Sequence, residues 1–103
     1  MGLFGILLPQ QYGGLGLSFA TYAAIVEEIS RGWMSLGGII NSHFVVAHDI
    51  VEFGTDDQRQ RYLPRLATGD LRACVCITEP NAGSDVQAIQ LAAVKDGDRK
   101  SVV

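Results

Sequence analysis

The run Val75-Cys76-Ile77-Thr78-Glu79-Pro80-Asn81-Ala82-Gly83-Ser84-Asp85-Val86 divides this chain into two kinds of pattern. Up to Thr78 it is short, apolar and β-branched, the composition of a strand. From Glu79 to Asp85 it becomes Pro, Asn, Gly and Ser, which are ordinary turn formers. Such a loop leaves backbone N–H groups uncovered and sets hydroxyls beside them, a combination that suits an anionic, phosphate-bearing ligand. On local pattern alone the same residues are a strand and a turn, with Ser84 or Asp85 capping a short helical turn.

Upstream, the chain is helical. Residues 2–17, GLFGILLPQQYGGLGL, carry too many Gly and Pro signals for a long helix and read as an apolar loop or turn. Within them Gly13-Gly14-Leu15-Gly16 lacks the GxGxxG spacing and follows no strand, so it reads as a flexible connector. Ser18 is a good N-cap for a helix through Phe19, Tyr22, Val26 and Ile29, ended by Gly32. Glu27, Glu28 and Arg31 form its solvated side. Trp33 reads as a packing anchor between helices.

A second helix starts near Met34 or Ser35 and closes at Gly54. Its apolar face is wide, taking in Leu36, Ile39, Ile40, Phe44, Ala47 and Ile50, and such a helix is expected to be mostly buried. His43 lies on that side and reads as a hydrogen-bonded core or pocket-lining histidine. His48 and Glu52 form an i, i+4 surface pair, because two ligands make no metal site. Thr55 caps a third helix with Asp56 and Asp57 in its first turn, and Thr68-Gly69-Asp70 stops it. Pro64 should kink or shorten that helix.

After Gly69 the period changes. Leu71–Ile77 and Gln90–Val94 read as strands, Asp96-Gly97-Asp98 as a hairpin turn, and Arg99–Val103 as the returning strand. The expected class is therefore α+β: three helices followed by the first strands of an antiparallel β-part. The boundary falls between residues 1–69 and 70–103. Two or three strands are marginal without a partner layer, so the chain reads as part of something larger.

Composition narrows the partners. With a net charge of −3 there is no basic stripe to displace counterions from nucleic acid. The apolar stretch Leu36–Val51 is interrupted by Asn41, His43, His48 and Asp49, so no membrane span is expected. The N-terminus lacks a basic region and a small-residue cleavage site, which argues against a secretory signal. The two cysteines, Cys74 and Cys76, fall on one face of a strand without the CxxC spacing, and read as buried free thiols in a reducing, intracellular setting.

Four stretches, in this order, resemble the acyl-CoA dehydrogenases: GLFGILLPQQYGGLGL at 2–17, IVEEISR at 25–31, FGTDDQRQRYLPRLATGD at 53–70 and CITEPNAGSDV at 76–86. The resemblance covers nearly the whole chain. It implies the later part of that family's N-terminal helical domain followed by the start of its middle β-domain. Members usually carry helices before the equivalent of Gly2, and more β-domain and a helical bundle beyond Val103. Met1 then reads as an internal or misassigned start.

What the resemblance implies about function is specific. Val75, Cys76, Ile77 and Thr78 would lie along the ring of FAD, with the Thr78 hydroxyl near N5 and the backbone around Ile77 at the pyrimidine edge. Gly83 and Ser84 would meet the FAD pyrophosphate, and Ser84 would also approach the acyl-CoA pantetheine. Val75 departs from the family, which often has an aromatic residue there. Gly37, Gly38 and Asn41 would line the acyl-tail pocket, with room for a long or bulky tail. The implied reaction is α,β-dehydrogenation of an acyl-CoA thioester, with electron-transfer flavoprotein as acceptor, in a homotetramer. The location implied is cytoplasmic, or the mitochondrial matrix in a eukaryote. The family's glutamate base matches no residue here, so no catalytic residue is assigned; Glu27, Glu28, Glu52 and Glu79 are not promoted to it.

Two alternatives stand beside this reading. One keeps the fold and flavin but is an acyl-CoA oxidase or a flavin monooxygenase of the same superfamily. The other is a non-catalytic helical module that docks a partner through the second helix.

Overall fold

The computed structural model describes residues 2–97 and 99–102. Two 3-10 turns, Leu3–Gly5 and Gln10–Tyr12, precede helix α1, Phe19–Phe53, and helix α2, Asp56–Thr68. A 3-10 turn, Val86–Ala88, and a hairpin of β1, Ala93–Asp96, and β2, Arg99–Val102, follow.

Helix α1 is two rods. Trp33 leaves helical geometry for extended backbone (φ −159°, ψ 103°). At 1.5 Å per residue a straight helix would set Tyr22 and Phe44 about 33 Å apart. Their ring centroids are 5.0 Å apart, edge to face. The arms 19–32 and 34–53 therefore double back on one another, with the break beside the Gly32 expected to end the first helix. Ser18 caps the first arm, accepting the Thr21 N–H at 3.2 Å. Trp33 itself is no packing anchor: it is 65% exposed at the hinge, because the extended residue between two diverging rods has no neighbouring face to fill.

The corner into α2 is tied by a capping box, in which Thr55 Oγ1 accepts the Gln58 N–H at 3.3 Å and Gln58 Oε1 accepts the Thr55 N–H at 2.8 Å. Arg59 reaches back to the end of α1, where Nε donates to the Val51 carbonyl at 3.0 Å and Nη2 to the Glu52 carbonyl at 3.4 Å. These carbonyls are orphaned by helix termination, and the guanidinium satisfies them. Pro64 does not shorten α2, which runs through it to Thr68. Buried Leu63, Leu66 and Ala67 hold that turn by packing despite the missing N–H. Gly69 ends it in the left-handed region, φ +83°.

The core lies between the opening segment, the second arm of α1 and α2. Leu8, Ala47, Leu63, Leu66 and Ala67 form one buried cluster, and Ile6, Ile40 and Phe44 another. The opening segment folds onto itself through Leu15 N–H to Gly5 O (2.7 Å), Gly16 N–H to Leu8 O (2.9 Å) and Leu17 N–H to Ile6 O (2.8 Å). A Cβ on Gly14 would sit 2.0 Å from the Leu8 carbonyl oxygen. This glycine run is a bonded turn, then, rather than a flexible connector.

The second arm is less buried than its composition suggests. Gly37, Ile40, His43, Phe44 and Ala47 face the core, while Met34 (77%) and Phe53 (85%) face outward. The helices beside it are too few to cover more than one stripe. His43 is the core histidine expected. It is 1% exposed, and its Nε2–H donates to the Leu66 carbonyl at 3.2 Å.

The β-part is sparser than expected. Ala93 pairs with Val102 and Asp96 with Arg99 in an antiparallel ladder turning through Gly97 (φ +61°). The strand expected at 71–77 is absent, and that expected at 90–94 begins only at Ala93. A strand is defined by its ladder, and among the described residues none lies alongside 71–77. Val103, in the expected returning strand, lies outside the described residues.

Candidate functional site

The doubled-back arms of α1 enclose an open, mainly apolar groove of about 630 Å3, whose walls include Tyr22, Val26, Ser30, Gly37, Gly38 and Asn41. Gly37 sits where the arms are in contact: a Cβ there would lie 2.5 Å from Ser30 Oγ. Gly38 is different, since nothing lies within 4 Å of the position its Cβ would take. Tyr22 donates its hydroxyl to Asn41 Oδ1 at 3.2 Å. Both residues also line a smaller cavity of about 110 Å3, so their bond is the partition between the two. Burial pushes the Tyr22 hydroxyl pKa up, keeping it a neutral donor.

The three residues expected at the acyl tail thus line one groove. Ser84 is not among its lining residues. Tyr22 and Ser30 escaped the sequence reading because each is separated from its partner by the hinge. The signal available was Gly32-Trp33 at the junction of two helical periods.

The second candidate region is the ribbon from Val75 to Leu91. Val75, Cys76, Ile77 and Thr78 are exposed. Cys74 and Cys76 are exposed free thiols with sulfurs 3.9 Å apart. This corrects the buried placement: without a ladder neighbour, no layer covers the segment's face. The neighbouring Cys76 thiol pushes the Cys74 pKa up. Glu79 and Ala82 exchange backbone bonds at 2.9 and 3.2 Å, closing the turn through Pro80 and Asn81. Ala82 is buried, whereas Gly83 and Ser84 are exposed. Among the described residues no hydrogen bond uses the Gly83 or Ser84 N–H. No atom lies within 4 Å of the Cβ position of Gly83. Asp85 caps the following turn, accepting the Gln87 N–H at 3.2 Å. Uncovered amides beside a serine hydroxyl are the donor set a pyrophosphate takes, and in that respect the residues fit a dinucleotide.

Among the described residues no three His, Cys, Asp or Glu side chains gather to hold a metal, and no helix is long and apolar enough to cross a membrane. Glu27 and Glu28 pair with Arg31 at 2.9 and 3.1 Å on the solvated face.

Residues 1–70 match the family model described as the N-terminal domain of acyl-CoA dehydrogenase. The chain belongs to the acyl-CoA dehydrogenase family. It is 42% identical to (2S)-methylsuccinyl-CoA dehydrogenase of Cereibacter sphaeroides over 98 residues, 95% of this chain and 18% of that protein. Its fold matches a glutaryl-coenzyme A dehydrogenase in complex with glutaryl-CoA (TM-score 0.88, 33% identity, 98% of this chain and 26% of that one). It also matches an acyl-CoA dehydrogenase from Bacillus anthracis complexed with FAD (TM-score 0.85, 33% identity, 98% of this chain and 18% of that one). The chain therefore spans about a fifth to a quarter of the length of these relatives.

Proposed function

We propose that this chain supplies the acyl-tail wall and part of the FAD site of an enzyme that introduces an α,β-double bond into an acyl-CoA thioester. The observation that carries the reading is the groove between the arms of α1, where Gly37, Gly38 and Asn41 meet in a chain of this family. An apolar groove with a single bridging polar pair suits an alkyl or branched acyl tail, which offers no hydrogen bonds of its own. Gly38, whose Cβ position is open, leaves room in the groove for a long or bulky tail.

FAD would supply the hydride acceptor for the β-hydrogen of the thioester. The chain's own residues would bind and orient it. The Thr78 hydroxyl would offer a neutral donor toward the ring, with Val75, Cys76 and Ile77 along it. The Gly83 and Ser84 amides and the Ser84 hydroxyl would hold the pyrophosphate, and Ser84 would also approach the pantetheine. No residue of this chain is assigned as the α-proton base. Residues 1–69 belong to the helical domain and 70–103 open the β-domain. The whole enzyme is a homotetramer passing electrons to an electron-transfer flavoprotein, in the cytoplasm or the mitochondrial matrix.

The test is to purify the whole protein, reconstitute it with FAD and add acyl-CoA thioesters of graded length. Bleaching of the visible flavin band without oxygen, reversed by an artificial one-electron acceptor, is the expected result. Rapid reoxidation by oxygen with release of peroxide would point to the oxidase instead. A colourless protein that takes up no flavin would leave only a docking module.

A further inference from the structure

We infer that Glu79 is a positioning residue for the FAD-phosphate loop, a role that rests on the FAD reading above. Its carboxylate is a fork: Oε2 accepts the Gln90 N–H at 3.0 Å and Oε1 the Leu91 N–H at 2.8 Å. Its own backbone exchanges two bonds with Ala82. One residue therefore holds both the first turn of the loop and its far end, eleven and twelve residues on.

The consequence is mechanical. Residues 80–89 become a closed loop of the kind whose ends meet and whose shape is set from inside. Asp85 stiffens the middle through the Gln87 N–H. Gly83 and Ser84 lie between these two anchored points with their amides unclaimed. A phosphate site made of loop amides is useful only if the loop is ordered before the ligand arrives, because ordering it on binding subtracts from affinity. Charge-assisted bonds to two consecutive amides are among the stronger local ties available. No catalytic part follows for Glu79, since both of its oxygens are occupied by the backbone.

The experiment uses the whole protein, wild type and as Glu79→Gln and Glu79→Ala. Three quantities are measured: amide exchange at Gln90 and Leu91 without FAD, the thermal midpoint without FAD, and FAD affinity by flavin fluorescence titration. The expected pattern is graded. Glu79→Gln keeps one carbonyl acceptor and weakens FAD binding about tenfold; Glu79→Ala weakens it further. Exchange accelerates at Gln90 and Leu91, while the FAD-free midpoint stays near that of the wild type. If both variants bind FAD as the wild type does, the positioning role is overturned and the FAD reading stands. If the FAD-free midpoint falls and protection is lost throughout the chain, Glu79 is a general stability residue and the role is likewise overturned. A wild type that takes up no FAD overturns both.

Discussion

Gly38 and Gly37 are neighbours with opposite constraints. A Cβ at Gly38 would meet nothing within 4 Å, so Gly38→Leu should fold normally and extend into the groove. Discrimination against long acyl-CoA substrates, read as kcat/KM for short chains divided by that for long ones, is expected to rise about tenfold or more. At Gly37 the added Cβ meets Ser30 Oγ at 2.5 Å. Gly37→Ala should cost about 1 kcal/mol, overpacking against Ser30 being partly offset by the helix-propensity gain, measured by urea unfolding. Adding Ser30→Ala should return most of it, since the pair shares one contact. At this scale the sequence was legible wherever a residue's chemistry acts locally, as at the Ser18 and Thr55 caps. His43, too, is a core histidine by its place in the apolar pattern. It misled at Cys74, Cys76 and Trp33, whose burial depends on neighbours that spacing cannot supply.

Among the elements, the helices follow from their ends. Thr55→Ala removes a capping box and is expected to cost about 1 kcal/mol, visible as a lower denaturation midpoint with an unchanged slope. Gly69→Ala should cost more. Its φ is +83°, and a Cβ there would lie 2.6 Å from Phe4 Cδ2. The hinge of α1 was legible as Gly32 between two helical periods, and so was the β-hairpin as a turn signal between apolar runs. The strand expected at 71–77 was not, because extended, β-branched sequence becomes a strand only when a ladder forms. Pro64 was over-read for the complementary reason: burial of Leu63 and Leu66 outweighs one lost backbone bond.

Across the whole molecule, His43 couples stability to pH. Burial lowers its pKa below the ordinary 6.5 and the Arg72 charge adds to this, while the Leu66 and Phe4 backbone groups push it back up. The Leu66 carbonyl can only accept, so Nε2 carries the proton of the neutral ring, and Nδ1 is buried without a bonded partner. Below pH 6.5 the unfolded chain therefore binds the proton that the folded chain resists. The expected outcome is a midpoint that falls as pH drops from 6.5 toward the folded-state pKa, with a shallower fall in His43→Gln over the same window. What this sequence determined by itself is its punctuation and periods: where helices start and stop, where the hairpin turns, and the family to which those stretches belong. Caps, turn residues and repeating apolar positions act over a few residues, and so they can be read along the chain. Only the tertiary structure decided that Tyr22 bonds Asn41 across the hinge, that one groove gathers Gly37, Gly38 and Asn41, and that Glu79 closes its loop on Gln90 and Leu91. The Tyr22–Asn41 and Glu79 bonds join residues 11 to 19 positions apart, and the groove needs both arms of α1, so the geometry that brings them together is a property of the packed chain, not of any segment of it.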